Sequence, residues 1–148
     1  MHLEKNRRTM DTRTKVVFLA AIADLCHKGH LNLFQRMRDT GRKVIVILHD
    51  DKSCYHIKGK IPIQSLEHRI NNLKITGLVD EVMITRSTDP YKEFKKIIKK
   101  YPDCIYMRGD DTLDFPGKWL LEEHKVPIHF VRYTDGVSST TLRKELGC

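Results

Sequence analysis

The chain has 148 residues, 40% of them hydrophobic and 31% charged, which suits one ordinary domain with a real core and excludes general disorder. No apolar run approaches the ~20 residues of a bilayer-spanning helix and no secretory leader follows the charged N-terminus, so the expected compartment is the cytoplasm. Lys plus Arg number 27 against 19 Asp plus Glu, a net charge of +8 that favours anionic partners without choosing among nucleic acid, membrane and small phosphates.

Residues 1–14, with Lys5, Arg7, Arg8 and Arg13 and no apolar periodicity, are expected to form a flexible basic extension, and 15–148 the folded domain. The run Val16–Ala20 opens the domain as a buried strand. Leu31, Phe34 and Met37 then recur at helical spacing, with Gly41 as the stop. A second strand covers Val44–Leu48, and Leu66, Ile70 and Leu73 mark the next helix. Val82–Thr85 is the third strand. Asp89 and Pro90 form an N-cap and N1 pair for a helix through about Lys100, with Phe94, Ile97 and Ile98 inward. Its lysines Lys92, Lys95, Lys96, Lys99 and Lys100 read as a solvated face. Cys104–Met107 and Ile128–Val131 complete five strands, with a short helix over Lys118–His124 between them and a last one, capped by Ser138 or Ser139, through Leu146. The four cysteines, Cys26, Cys54, Cys104 and Cys148, lie far apart without a C-x-x-C pair, which predicts free thiols rather than a disulfide framework or structural zinc.

Alternating strand and helix means parallel strands joined by crossovers, so the fold class is α/β: a single Rossmann-like domain, a five-stranded parallel sheet flanked by helices. Ligands of such sheets bind at the carboxyl ends of the strands, beside the switch in strand order. Four clusters sit there. His27-Lys28-Gly29-His30 lies between the first strand and a helix, where backbone N–H groups and the helix dipole favour phosphate; a zinc site would need a third ligand and no second paired motif supplies one. Lys58-Gly59-Lys60, in the loop after strand two, is either a phosphate clamp or a solvated basic loop. Arg69, in the following helix, either stays exposed or turns inward as a bidentate phosphate ligand. Met107-Arg108-Gly109-Asp110-Asp111 leaves strand four with paired carboxylates that either hold magnesium, accept from a base or sugar, or form a plain turn. Finally, Tyr133–Thr141 offers more hydroxyls than one helix cap requires.

Taken together these pieces resemble the cytidylyltransferase-like nucleotidyltransferases. Asp24, His27, Gly29 and His30 match the family's H-x-G-H motif, and Thr134 to Thr140 match its R-T-E-G-I-S-T-T motif with Asp135, Val137 and Ser139 as variations. Leu66-Glu67-His68-Arg69 and Val79-Asp80-Glu81-Val82 are similar to its E-x-R and V-D-E-V signatures. Gly109-Asp110-Asp111 is similar to the M-G-D-D of the glycerol-3-phosphate cytidylyltransferase branch, with Arg108 in the Met position. Three departures stand out: Ala21-Ile22-Ala23 replaces a Gly-containing turn, Tyr133 replaces the motif arginine with Arg132 one place earlier, and Gly77 stands near a missing arginine, with Lys74 as its substitute.

The resemblance implies transfer of a CMP moiety from CTP to a small phospho-alcohol of the glycerol 3-phosphate, phosphoethanolamine or phosphocholine type, with pyrophosphate released. It implies His27, His30, Lys58 and Arg69 as catalytic groups. Nucleotide binding falls to Ala21, Ile22, Asp24, Gly29, Asp110, Asp111, Thr134, Ser138, Ser139 and Thr140, and substrate binding to Asp50, Asp51 and Lys60. Mg²⁺ is the expected cofactor, with no protein side chain assigned to it directly, and a homodimer the expected assembly. Two alternatives follow from the same residues: an ATP-dependent adenylyltransferase acting on a sugar 1-phosphate, or a non-catalytic basic nucleic-acid-binding module, which the sequence disfavours for want of a recognised reader motif.

Overall fold

A computed structural model describes residues 13–132. It contains β1 (Val16–Ala21), α1 (Lys28–Asp39), β2 (Lys43–His49), α2 (Asp51–Lys58), α3 (Leu66–Thr76), β3 (Glu81–Thr85), α4 (Tyr91–Lys100), β4 (Cys104–Gly109), α5 (Lys118–Glu123) and β5 (Ile128–Val131). The five strands form one parallel sheet in the order β3-β2-β1-β4-β5. The expected Rossmann-like architecture is therefore present. The strand order reverses between β1 and β4, which opens a crevice above the carboxyl ends of those two strands.

Helices covering both faces of a parallel sheet bury its central strands completely, which is why those strands read as unbroken apolar runs. Val16 to Phe18 and Val44 to Leu48 have no exposed surface. Phe18, Phe94 and Tyr106 pack edge to face with centroids 5.2–5.5 Å apart, and Phe115 lies parallel on Tyr106 at 5.0 Å. The Tyr106 hydroxyl, deep in this cluster, accepts the Ala20 N–H at 3.0 Å, and burial pushes its pKa up to about 12.

Two local expectations need correction. The segment after β2 is not a loop, because Asp51–Lys58 forms the eight-residue helix α2. Asp50 caps it by accepting the Ser53 N–H at 2.8 Å, and Gly59 ends it at φ +74°. Only Ser53 and Cys54 of this helix are buried, so it has no apolar stripe to read. At α4 the cap lies one residue later than expected: Pro90 is the N-cap. Asp89 still supports the turn, accepting from Tyr91 N–H at 3.1 Å and from the Trp119 indole at 2.9 Å. Phe94 and Ile97 are buried as expected, with Ile98 packed against the core. Among the described residues no helix is long and apolar enough to cross a membrane, and Cys26, Cys54 and Cys104 are free thiols.

Candidate active site

His27 ends the connection from β1 and is the N-cap of α1. Its Nδ1 accepts the Gly29 N–H at 2.9 Å, while the His27 N–H donates to His30 Nδ1 at 3.2 Å. Each imidazole thus spends Nδ1 on a backbone donor, which fixes the tautomer: both rings are protonated at Nε2. The rings stack with centroids 4.0 Å apart. Burial lowers the pKa of His27. Burial, then the neighbouring His27, lower His30 to about 3 against an opposing pull from Asp24. Both are neutral Nε2–H donors at neutral pH. His27 is 7% exposed, and among the described residues its buried Nε2 meets no hydrogen-bond partner, as suits a donor kept for an acceptor.

The loop in front of these histidines is held from two sides. Asp24, 1% exposed, accepts from the N–H groups of Ile63 and Gln64 at 2.8 and 3.0 Å, and Gln64 Oε1 in turn accepts from Leu25 N–H at 2.9 Å. Asp24 lines the cleft, but its carboxylate is engaged in fastening one loop to another. Arg69 lies across the same junction with no exposed surface. Its guanidinium donates to the carbonyls of Ile22, His49 and Gln64 at 2.9, 2.8 and 3.2 Å and pairs with Asp51 at 2.8 Å. Of the two outcomes left open for Arg69, the inward turn occurs, with the guanidinium on carbonyls and Asp51. In this structure Arg69 is an internal brace and does not line the cleft.

Asp51 and Asp50 have structural partners of the same kind. One is the ion partner of Arg69 and the other a helix cap, and neither reaches the cleft wall. Lys58 does line the cleft, whereas exposed Lys60 and Asp110 lie outside it. Ala21, Ile22, Gly29 and Asp111 line the cleft wall. The missing family glycine leaves no strain at Ala21; positive φ falls instead at Ala23 (+53°), Leu25 (+63°) and Cys26 (+22°). Left-handed backbone in non-glycine residues costs roughly 1–2 kcal/mol each and concentrates at ligand sites. Thr134, Ser138, Ser139 and Thr140 lie outside the described residues.

The cleft itself has a volume of about 580 Å³ and follows the switch point from the end of α2, past His30, to the exits of β4 and β5. Sequence reasoning did not place His49, Phe115 or Asp114 there, and it gave Arg108 a place at the strand exit but no role. The available signal was their position just beyond strand ends. His49, 6% exposed, is held neutral by burial, its pKa lowered to about 4. Its Nδ1 lies 3.2 Å from Ser53 Oγ. That contact is not a nucleophile–base pair open to substrate, because Ser53 is 1% exposed and its hydroxyl donates to the Asp50 carbonyl.

A parallel sheet with a phosphate-seeking helix terminus and two fixed imidazole donors at its switch point defines a nucleotidyltransferase-type domain. The profile of the cytidylyltransferase-like family matches residues 19–145, and the chain belongs to that family. It is similar to the ethanolamine-phosphate cytidylyltransferase of Dictyostelium discoideum, 26% identical over 94% of this chain and 39% of that protein. It is 29% identical to the bifunctional protein HldE of Helicobacter pylori over 99% of this chain and 30% of that one. A FAD synthase of Thermococcus sibiricus is 32% identical over 74% of this chain and 71% of its own length. The chain thus spans well under half of the first two relatives. The crystal structure of a lipopolysaccharide core biosynthesis protein from Thermoplasma volcanium superposes with a TM-score of 0.67 at 21% identity, over 82% of this chain and 98% of that one; this likeness supports the fold.

Proposed function

We propose that the protein transfers a CMP moiety from CTP to a small phosphorylated alcohol and releases pyrophosphate. The observation that carries the transfer chemistry is the pair of neutral imidazoles fixed with protonated Nε2 at the N-terminus of α1, His30 on the cleft wall and His27 stacked behind it. An oxygen of the acceptor phosphate attacks the α-phosphorus, the new P–O bond forms, and the bond to the bridging oxygen breaks with its electrons leaving on pyrophosphate. A phosphomonoester with a second pKa of ~6 is already largely dianionic at neutral pH. The site therefore needs no general base; it needs donors aimed at charge gathering on the equatorial and leaving oxygens. His27 and His30 supply those donors without a proton transfer. Lys58, on the β2 side of the cleft, supplies a cation for the incoming phosphate. The described residues gather no group of three His, Cys, Asp or Glu side chains, so Mg²⁺ fits here as an ion carried mainly by triphosphate oxygens and water, its common habit. When bound it would neutralise phosphate charge.

The choice of CTP and a phospho-alcohol rests on the Gly109-Asp110-Asp111 stretch and on the similarity to an ethanolamine-phosphate cytidylyltransferase. A homodimer is proposed on the family likeness. The deciding experiment measures pyrophosphate release from CTP, ATP, GTP and UTP with phosphoethanolamine, phosphocholine, glycerol 3-phosphate and sugar 1-phosphates. The proposal expects CTP with one of the phospho-alcohols to dominate. Turnover only with ATP and a sugar phosphate replaces it with the adenylyltransferase reading. Salt-sensitive retention on nucleic acid, with no turnover from any pair, removes the enzyme reading altogether.

A further inference from the structure

The transfer chemistry leaves two cations of the cleft wall without a task, Arg108 and Arg132, and Arg108 is the one held by an aromatic ring. It sits one residue before the end of β4 and lines the cleft wall. Its Nε is buried with no hydrogen-bond partner, and no carboxylate pairs with it among the described residues. What holds it is aromatic: the guanidinium carbon lies 4.5 Å from the Phe115 centroid. Phe115 lies parallel on Tyr106, which Phe18 and Phe94 grip edge-on. A guanidinium held against a ring that is backed by the core is pre-oriented, and among the described residues nothing occupies its N–H groups.

The strand order says what reaches that fork. Along β2, β1 and β4 the cleft presents Lys58, then His30, then Arg108. Beside Arg108 the wall carries Asp111, Thr112 and Asp114. With Arg132 at the β5 exit, the two carboxylates offset the two arginines. This end therefore carries no surplus of positive charge and suits the part of a nucleotide that is neutral and rich in hydrogen-bonding groups, its nucleoside. The phosphates then fall over β1, at the imidazoles.

We infer that Arg108 selects the nucleobase, donating two parallel N–H groups to the adjacent O2 and N3 acceptors of cytosine, with a carboxylate of Asp111 or Asp114 accepting from the exocyclic amine. Adenine offers no such adjacent pair on its pairing edge, since a donor amine flanks its single acceptor there. Carboxylate acceptance from the cytosine amine and bidentate arginine donation to paired acceptors are both established modes of base reading. This assignment rests on the nucleotidyl-transfer reading of the cleft, but not on the identity of the acceptor.

The test is equilibrium calorimetry with CTP, ATP, GTP and inorganic tripolyphosphate on the wild type, Arg108→Met and Arg108→Lys, each checked for native melting. Arg108→Met is expected to weaken CTP about 10- to 100-fold and to leave ATP and tripolyphosphate within about twofold, with Arg108→Lys in between. Equal losses for CTP, ATP and tripolyphosphate would make Arg108 a phosphate ligand and overturn the assignment. Unchanged CTP affinity, or GTP bound tighter than CTP by the wild type, would overturn it as well. Selective CTP binding that depends on Arg108, in a protein releasing pyrophosphate with no acceptor, leaves this inference standing and defeats the proposed reaction.

Discussion

His27 and His30 hold their protons at Nε2 because a backbone N–H occupies each Nδ1. Charging either ring would put a proton on Nδ1 and break a capping bond as well as cost desolvation, so the folded protein resists it. The proposed catalysis accordingly uses uncharged donors, and kcat/KM for pyrophosphate release is expected to show no imidazole inflection between about pH 6 and 8. Activity falling as pH rises through ~6.5 would instead indicate a cationic ring. Replacing His30 with Ala removes one donor aimed at developing charge and is expected to lower kcat about 10²- to 10³-fold. His27→Ala should do the same. Residual pyrophosphate release near the wild-type rate in both would remove them from the mechanism. The H-x-G-H spacing and its place after a strand made these two residues legible from sequence alone. Their tautomers were not, because those depend on which backbone N–H each ring meets after folding.

Elements meet at a few points where one residue holds several together, and such residues are poorly marked in sequence. Arg69 looks like a phosphate ligand because an arginine in a basic, phosphate-binding setting usually is one. Its burial and its three carbonyl partners become visible only when α3, β2 and the β1–α1 connection are assembled. Arg69→Met would strand those carbonyls and Asp51, and is expected to cost about 2–4 kcal/mol by urea unfolding. Gly117 is a second such point. It caps α5 at φ +88°, and a Cβ there would stand 2.5 Å from the Phe94 ring. Gly117→Ala should lose about 1–3 kcal/mol. The same change at Gly77 (φ +70°), with nothing within 4 Å of the added Cβ, should lose only about 1 kcal/mol. Comparable melting points for the two variants would refute the packing argument.

At the scale of the whole molecule, strand number, parallel pairing and the location of the cleft all follow from apolar runs alternating with helical patterns, because each crossover must bury both faces of the sheet. The pH dependence of stability also belongs to this scale. His30 and His49 titrate near 6.5 when unfolded, but at about 3 and about 4 when folded. Between those limits the unfolded chain binds more protons, so stability rises with pH there. It is fully present above about 6.5 and is lost as pH falls towards 4. Asp80 and Asp103, lowered chiefly through bonds from Val44 N–H and Arg38 in one case and from Arg42 in the other, add a further loss below the ordinary carboxylate range. Melting scans should show a declining Tm from pH 6.5 to 4.5, and His49→Asn, which cannot take up the proton, should flatten the decline. An unchanged slope in that variant would exclude His49 as a contributor.

The capping role of the two histidines has an engineering consequence. A helix start of this shape is ordinarily served best by serine or threonine at the cap and glutamate three positions on. The double change His27→Ser with His30→Glu should therefore raise Tm while abolishing nucleotidyl transfer, since a carboxylate would then face the phosphates. Where an enzyme of this design is placed under selection for thermal endurance alone, this is the spot at which it would be traded for a sturdier, inert protein.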